Sequence, residues 1–152
     1  MSQVNRVETV LSAFGARAGL GELKLDDDGR LTLLIDQIPV TFAYSADPVE
    51  LLWLYVGLGE VEDGMAAFLL ALGFVTWANN RMTIALDRDA RKALGYTVIP
   101  VAALDVDSLQ KGVTVLVESA RPIRDRLASG AYEVDWDNGS ERGLGVDETL
   151  RA

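Results

Sequence analysis

Carboxylates are the most frequent side chains in this sequence that could act as acids, bases or metal ligands. They cluster at positions 26–28, 87–89 and 105–107. A pair of carboxylates can hydrolyse a glycosidic bond. Each cluster, however, falls where the flanking residues predict a turn or a helix cap, and Asp favours such positions because its side chain accepts backbone hydrogen bonds. The clusters therefore predict turns and caps rather than catalysis.

The run from Asp26 to Gly29 also needs comparison with a calcium-binding loop. If Gly29 were the sixth residue of an EF-hand loop, an oxygen ligand would be required at position 24 and a glutamate at position 35. The sequence has Lys24 and Ile35 there instead. We therefore predict no metal site, and a hairpin turn in which Gly29 supplies a positive φ.

Other catalytic arrangements lack their essential members. The sequence has no histidine and no cysteine, which removes the commonest general base, thiolate nucleophiles and disulfides. Ser45, Ser108 and Ser119 have no basic partner at a recognisable spacing, and the segment 57–60 (GLGE) lacks the spacing of a phosphate-binding loop. The prediction is a protein that is not an enzyme and needs no cofactor.

Length and charge narrow the class further. The chain has 152 residues, of which 49% are apolar, enough for one hydrophobic core, and its net charge is −9. That charge disfavours nucleic acid and anionic membranes as partners and favours a basic or amphiphilic protein segment. The amino-terminal region does not resemble a secretory signal, and no uninterrupted apolar run is long enough to span a membrane. We expect a soluble, cytoplasmic protein.

The apolar pattern predicts the elements that would hold any site. A helix is predicted over 4–18, although Gly15 could also end it just after Phe14. Short strands are predicted over 20–25, 31–36, 39–45 and 51–58. The strand after the acidic turn is apolar at nearly every position, which is typical of a strand covered on both sides, or at its ends, by other elements. The strand over 51–58 is apolar on both faces as well, so a second layer or a second subunit should cover it.

The second half begins with an unusual predicted helix over 65–79, which contains no charged residue. A helix that is apolar almost all round must be buried almost all round, so a subunit interface is expected there. Strands are then predicted over 81–86 and 95–101, followed by a helix capped by Asp105 or Asp107 and kinked or ended by Pro122. The fold class is α+β, a twisted antiparallel sheet with three helices in the order α-β-β-β-(β)-α-β-β-α.

A change of composition near Gly130 predicts the domain boundary. Residues 1–129 are expected to form one domain, and residues 130–152 an acidic, Gly-rich and mostly disordered tail. Tyr132, Val134 and Trp136 alternate with polar residues, so a short additional strand at the start of the tail stays open.

Several strings and their order resemble one known family. The segments LKLDDDGRLTLLID, LLWLYVGLGEV and TIALDRDARKALGYTVIPVAAL, each set between helices, resemble the class I type III secretion chaperones of the CesT/SycE kind, the Tir chaperone family, over about Val7 to Leu127. The resemblance implies a dimeric α+β fold that needs no nucleotide. It also implies that the protein holds the N-terminal chaperone-binding segment of a secreted effector soluble, partly unfolded and ready for secretion.

The resemblance further implies two sets of site residues. An effector strand would pair with a free sheet edge while its apolar side chains enter grooves beside the first helix. The candidates for effector binding are Leu11, Phe14, Leu20, Leu23, Leu25, Leu33 and Ile35. The candidates for the homodimer interface are Phe68, Leu69, Leu72, Trp77, Met82 and Ile84. Any of these apolar residues could instead belong to the ordinary core.

A second function stays open at this point. A chaperone-like sensory or regulatory domain of similar topology would bind a folded protein partner or a small ligand. An enzyme comes third, and would require a pocket in which carboxylates converge.

Overall fold

The computed structural model describes residues 3–62, 64–79 and 82–130, excluding the side chains at positions 3, 4 and 77. The predicted tail, with its alternating Tyr132, Val134 and Trp136, lies outside the described residues. In chain order the elements are α1 (Gln3–Ala18), β1 (Arg30–Ile35), β2 (Ile38–Ser45), β3 (Leu51–Glu60), α2 (Met65–Ala78), β4 (Thr83–Asp87), β5 (Lys92–Pro100) and α3 (Val106–Ala128). A short 3₁₀ turn at Val101–Ala103 precedes α3.

The five strands form one antiparallel sheet in the order β1-β2-β3-β5-β4. This confirms the predicted α+β class and places β1 and β4 at the two edges. The hairpin between β1 and β2 closes on the pair Ile35 and Ile38, with Asp36 and Gln37 both at positive φ. Two such residues form the tight turn that matches the twist of an antiparallel hairpin.

All three helices pack on one face of the sheet. Leu52, Leu54 and Val56 of β3 point to this face and are buried, while the residues between them are half-buried on the opposite face. α3 lies across β3 and β5, and α1 packs on α3 and brings Phe14 within 6.4 Å of the ring of Phe42 in β2. Burial of this alternating set supplies the main stabilising force.

The predicted strand over 20–25 is wrong. Gly19 and Gly21 both adopt positive φ, so the chain leaves α1 in a reversed, irregular path. Leu23 then turns into the core, and its carbonyl oxygen accepts a hydrogen bond from the Ser12 hydroxyl at 3.3 Å. The segment therefore packs along α1 instead of pairing with β1, and the predicted hairpin reduces to the turn from Asp26 to Arg30.

Two further expectations need correction. β1 is covered on one face only, because Arg30, Thr32 and Leu34 are exposed on the other. Pro122 does not end the last helix, which continues to Ala128. Pro122 is exposed, so the carbonyl that loses its helical partner there lies toward water, which can replace the missing hydrogen bond.

Asp105, as predicted, caps the last helix. Its side chain accepts a hydrogen bond from Ser108 N at 2.7 Å, and the Ser108 hydroxyl oxygen accepts one from Asp105 N at 2.9 Å. The hydrogen bond from the Ser108 amide holds the pKa of the Asp105 carboxyl below its usual value. A lowered folded-state pKa stabilises the fold above the unfolded-state pKa, and the contribution disappears as pH falls through the folded-state pKa.

We therefore expect Asp105→Ala to lower the melting temperature by about 4 °C at neutral pH, with the difference from wild type narrowing in acid. Asp107→Ala is the control, because Asp107 makes only an exposed ion pair with Arg17 at 2.6 Å and such pairs contribute little. Thermal melts across pH measure both. An equal loss in the two variants, constant with pH, would show that the cap does not carry the effect.

Candidate functional site

The free edge of β1 presents unpaired backbone groups. In a two-residue hairpin the residues beside the loop form a hydrogen-bonded pair, and such pairs alternate with pairs that are not hydrogen-bonded. Ile35 with Ile38 is the first pair, so Thr32 and Leu34 fall in the second kind, opposite Thr41 and Pro39. Their N–H and C=O groups consequently point away from β2. Such groups can pair with an added strand.

The edge has a defined end at Arg30. Asp26 accepts a hydrogen bond from Arg30 N through its carboxylate at 2.8 Å, and its own amide donates to Arg30 O at 2.7 Å. Both backbone groups that Arg30 would offer to another strand are therefore occupied by the turn. The part of the edge that remains open runs from Leu31 to Ile35.

An apolar rim accompanies this open edge on the side of the helices. Leu25, Leu31, Leu33 and Ile35 are half-buried and pack against the core without being covered. On the other side Leu34 is 67% exposed. An added strand with alternating side chains would cover the rim with one set and Leu34 with the other.

The predicted effector-binding residues divide into two groups. Leu11, Phe14 and Leu23 are buried in the core. Leu25, Leu33 and Ile35 lie on the half-buried rim, and Leu20 is 43% exposed just after α1. The structure thus leaves four of the seven accessible. Thr32 and Leu34 were missed because nothing in the sequence identifies β1 as an edge.

Gly15 explains how the segment after α1 stays close to the helix. A Cβ atom at this position would meet the Gly21 carbonyl oxygen and would lie 2.8 Å from Leu23 Cγ. The missing side chain thus allows the segment 19–25 to pack on α1.

We expect Gly15→Ala to destabilise the protein by about 2 kcal/mol, although Ala favours helices over Gly, because the added methyl group displaces this segment. Gly73→Ala in α2 is the matched control. Its nearest neighbour would be Ile84 Cβ at 3.9 Å, an ordinary contact, so this variant should be neutral or stabilising by up to about 1 kcal/mol. Urea denaturation measures both. Equal stability of the two variants would contradict the tight packing at Gly15.

α2 carries a second accessible apolar surface. The expectation that this helix is buried almost all round does not hold for a single chain, since Leu70 is 76% and Phe74 is 64% exposed. The predicted interface residues Phe68, Leu69, Leu72 and Met82 are buried in the core, and Ile84 is half-buried beside α2. The side chain of Trp77 lies outside the described set. The predicted dimer interface stays a prediction, with Leu70 and Phe74 as its accessible members.

The sheet face opposite the helices is half-buried and rich in aromatic residues. Trp53 and Tyr96 lie on neighbouring strands with ring centroids 5.5 Å apart. Each ring therefore covers part of the other.

Charged residues lie close together near the end of β3 and in the turn between β4 and β5. One open cleft of about 540 Å³ is lined by Glu60, Glu62, Asp89 and Arg91, but these residues are all exposed. Within the described ranges, no three acidic groups lie close enough to hold a metal ion. In the same ranges, no helix is both long enough and apolar enough to cross a membrane.

Comparison with protein-family models assigns the chain to a family. The model of the Tir chaperone protein (CesT) family matches residues 9–124. The chain belongs to this family. The match runs from within α1 to within α3 and so includes the whole sheet. Among curated protein sequences, none matches the chain significantly.

Solved structures of chaperone complexes share the fold of this CesT-family chain. A chain of the ExsC-ExsE complex matches with a TM-score of 0.72 and 23% identity, covering 82% of this chain and 96% of that one. A chain of the HopA1-SchA chaperone-effector complex matches with a TM-score of 0.70 and 25% identity, covering 79% of this chain and 94% of that one. A chain of the complex between the Yersinia pestis type III secretion chaperone SycH and a stable fragment of YscM2 matches with a TM-score of 0.61 and 19% identity. The match covers 76% of this chain and 98% of that one.

Proposed function

We propose that this protein is a type III secretion chaperone that binds the N-terminal segment of a secreted effector and keeps it soluble, partly unfolded and ready for secretion. Membership of the CesT family and the similarity to chaperone-effector complexes support this function. The observation in this chain that carries the proposal is the open edge of β1, with its unpaired backbone groups and apolar rim.

The proposed mechanism is strand addition. Backbone groups of the client pair with Thr32 and Leu34, which holds the bound segment extended and prevents it from folding. Client side chains that face the helices cover Leu25, Leu33 and Ile35, while Leu20 extends the apolar surface beyond the end of α1. Because the rim is shallow and apolar, it accepts many side chains. No covalent bond is made or broken in this mechanism, so it requires neither nucleotide nor cofactor.

The proposed assembly is a homodimer formed through α2. Leu70 and Phe74 lie one turn apart on the same side of the helix and are the most exposed large apolar residues on it. Exposed apolar surface of this kind marks an interaction site on a soluble protein. Phe68, Leu69, Leu72 and Met82 hold the helix to its own sheet, while Ile84 adjoins the interface. We place the protein in the bacterial cytoplasm, where effectors are made.

Co-purification from the native host tests the function. The chaperone should retain a secreted protein, and limited proteolysis of the complex should protect an extended segment near the client's amino terminus. Capture of an intact folded protein without a protected extended segment would favour the sensory or regulatory alternative and contradict the proposal.

A further inference from the structure

The two ends of the β1 edge differ in charge. Around its beginning, the stretch 22–30 contains four carboxylates (Glu22, Asp26, Asp27 and Asp28) and two cations (Lys24 and Arg30), a net charge of −2. Lys24 is already paired with Glu22 at 3.0 Å. Asp27 and Asp28 are exposed, and neither side chain is needed for the turn, which Asp26 holds. Two unengaged negative charges therefore stand at this end.

The other end of the edge is electrically balanced. Asp36, in the loop after β1, lies 3.7 Å from the Arg121 guanidinium of α3, and both side chains are about half or more exposed. One negative charge there faces one positive charge. A strand lying along β1 would consequently experience a negative field at one end only.

The position of the acidic turn fixes where a client strand must end. Because Asp26 occupies both edge groups of Arg30, pairing cannot continue past Leu31. The next client residues beyond that point pass beside Asp27 and Asp28. A Lys or Arg there would be attracted by the two carboxylates. Salt at about 0.1 M screens this attraction only partly when the charges lie within about 10 Å of each other.

We propose that the client strand carries Lys or Arg immediately after its apolar stretch, at the end that lies against Asp27 and Asp28. This inference rests on the proposed strand addition at β1. Antiparallel pairing is the more stable arrangement and is used throughout this sheet, so the basic residues follow the apolar stretch in the client sequence. The acidic turn thereby selects both the sequence and the direction of the bound segment.

Three synthetic peptides test this inference against the intact protein. Each contains the alternating stretch Val-Thr-Val-Thr-Val. The first is followed by Lys-Lys, the second by Glu-Glu, and the third has Lys-Lys in front. Binding is followed by NMR through the amide signals of Thr32 and Leu34, a readout that also registers weak complexes. The protein variants are Asp27→Asn with Asp28→Asn and, as a control with the same charge change, Glu60→Gln with Asp89→Asn. Glu60 ends the central strand β3, and Asp89 lies in the turn between β4 and β5, so neither belongs to β1.

At low salt, the first peptide should bind about 10-fold more tightly than the second, and the preference should fall below about 3-fold in 0.5 M salt. The variant at positions 27 and 28 should lose the preference, and the control variant should keep it. Equal binding of the first two peptides would overturn the inference while leaving strand addition intact. Tighter binding of the third peptide than of the first would contradict the proposed direction of the bound strand. Absence of any shift at Thr32 and Leu34 with all three peptides would contradict strand addition itself.

Discussion

Leu34→Pro is expected to weaken client binding by about 100-fold while the protein stays folded. Proline removes the N–H group that Leu34 offers to an added strand, and its ring occupies the space where the client backbone would approach. Leu34 lies on the edge strand, in a pair that is not hydrogen-bonded to β2. The sheet therefore loses none of its own hydrogen bonds, and we expect stability to fall by about 1 kcal/mol or less.

Leu34→Ala separates the backbone from the side chain. This variant keeps the N–H group and removes most of the exposed apolar surface at the same position, so it should weaken binding by less than about 10-fold. Calorimetric titration of the co-purified client, with thermal melts of both variants, makes the comparison. If Leu34→Pro and Leu34→Ala both weaken client binding only slightly and to the same extent, backbone pairing at β1 is contradicted.

Leu70→Glu combined with Phe74→Glu is expected to convert the dimer into monomers and to raise the dissociation constant of the dimer at least about 1000-fold. In the proposed interface each protomer would bury two carboxylates in an apolar contact, and the two-fold symmetry doubles the penalty. Both residues are exposed in the single chain, so the monomer should keep its fold. Sedimentation velocity measures the change.

Val49→Glu is the matched control for the dimer prediction. Val49 is 58% exposed and lies between β2 and β3, away from α2. Its replacement adds charge to an apolar surface position without touching the proposed interface, and it should leave the dimer unchanged. A monomeric wild type, or a double variant that still dimerises, would contradict the assignment of α2.

Periodicity in the sequence predicts most of the fold correctly. The first two helices appear within a residue of the predicted ranges 4–18 and 65–79. The last begins after its predicted cap and continues past Pro122 to Ala128. The alternation in β2 and β3 also holds. These elements bury a regular apolar face, and a regular face leaves a regular pattern in the sequence.

The errors arise where the tertiary arrangement decides. Leu23 and Leu25 alternate with polar residues as in a strand, but Gly19 and Gly21 turn the chain along α1 before it can pair. The mostly apolar sequence of β1 suggests a strand covered by other elements on both sides, whereas the strand order places it at an edge. Edge position depends on which strands pair, and local patterns contain no information on that choice.

The candidate site shows the same limit. The family resemblance predicts seven residues, and four of them are accessible, on the rim beside β1 or just after α1. Which of them are accessible depends on side-chain packing, so Phe14 and Leu23 prove to be core while Leu20 is exposed. On α2, Leu69 and Leu70 are adjacent in sequence but point about 100° apart around the helix axis. One is therefore buried and the other exposed.

Hydrogen exchange at single amides, with and without the co-purified client, tests the central claim most directly. Strand addition at β1 predicts that Thr32 and Leu34 exchange freely in the unliganded protein and become strongly protected in the complex, while the free edge of β4 at the other side of the sheet changes little. Unchanged exchange at Thr32 and Leu34 in a saturated complex would contradict it.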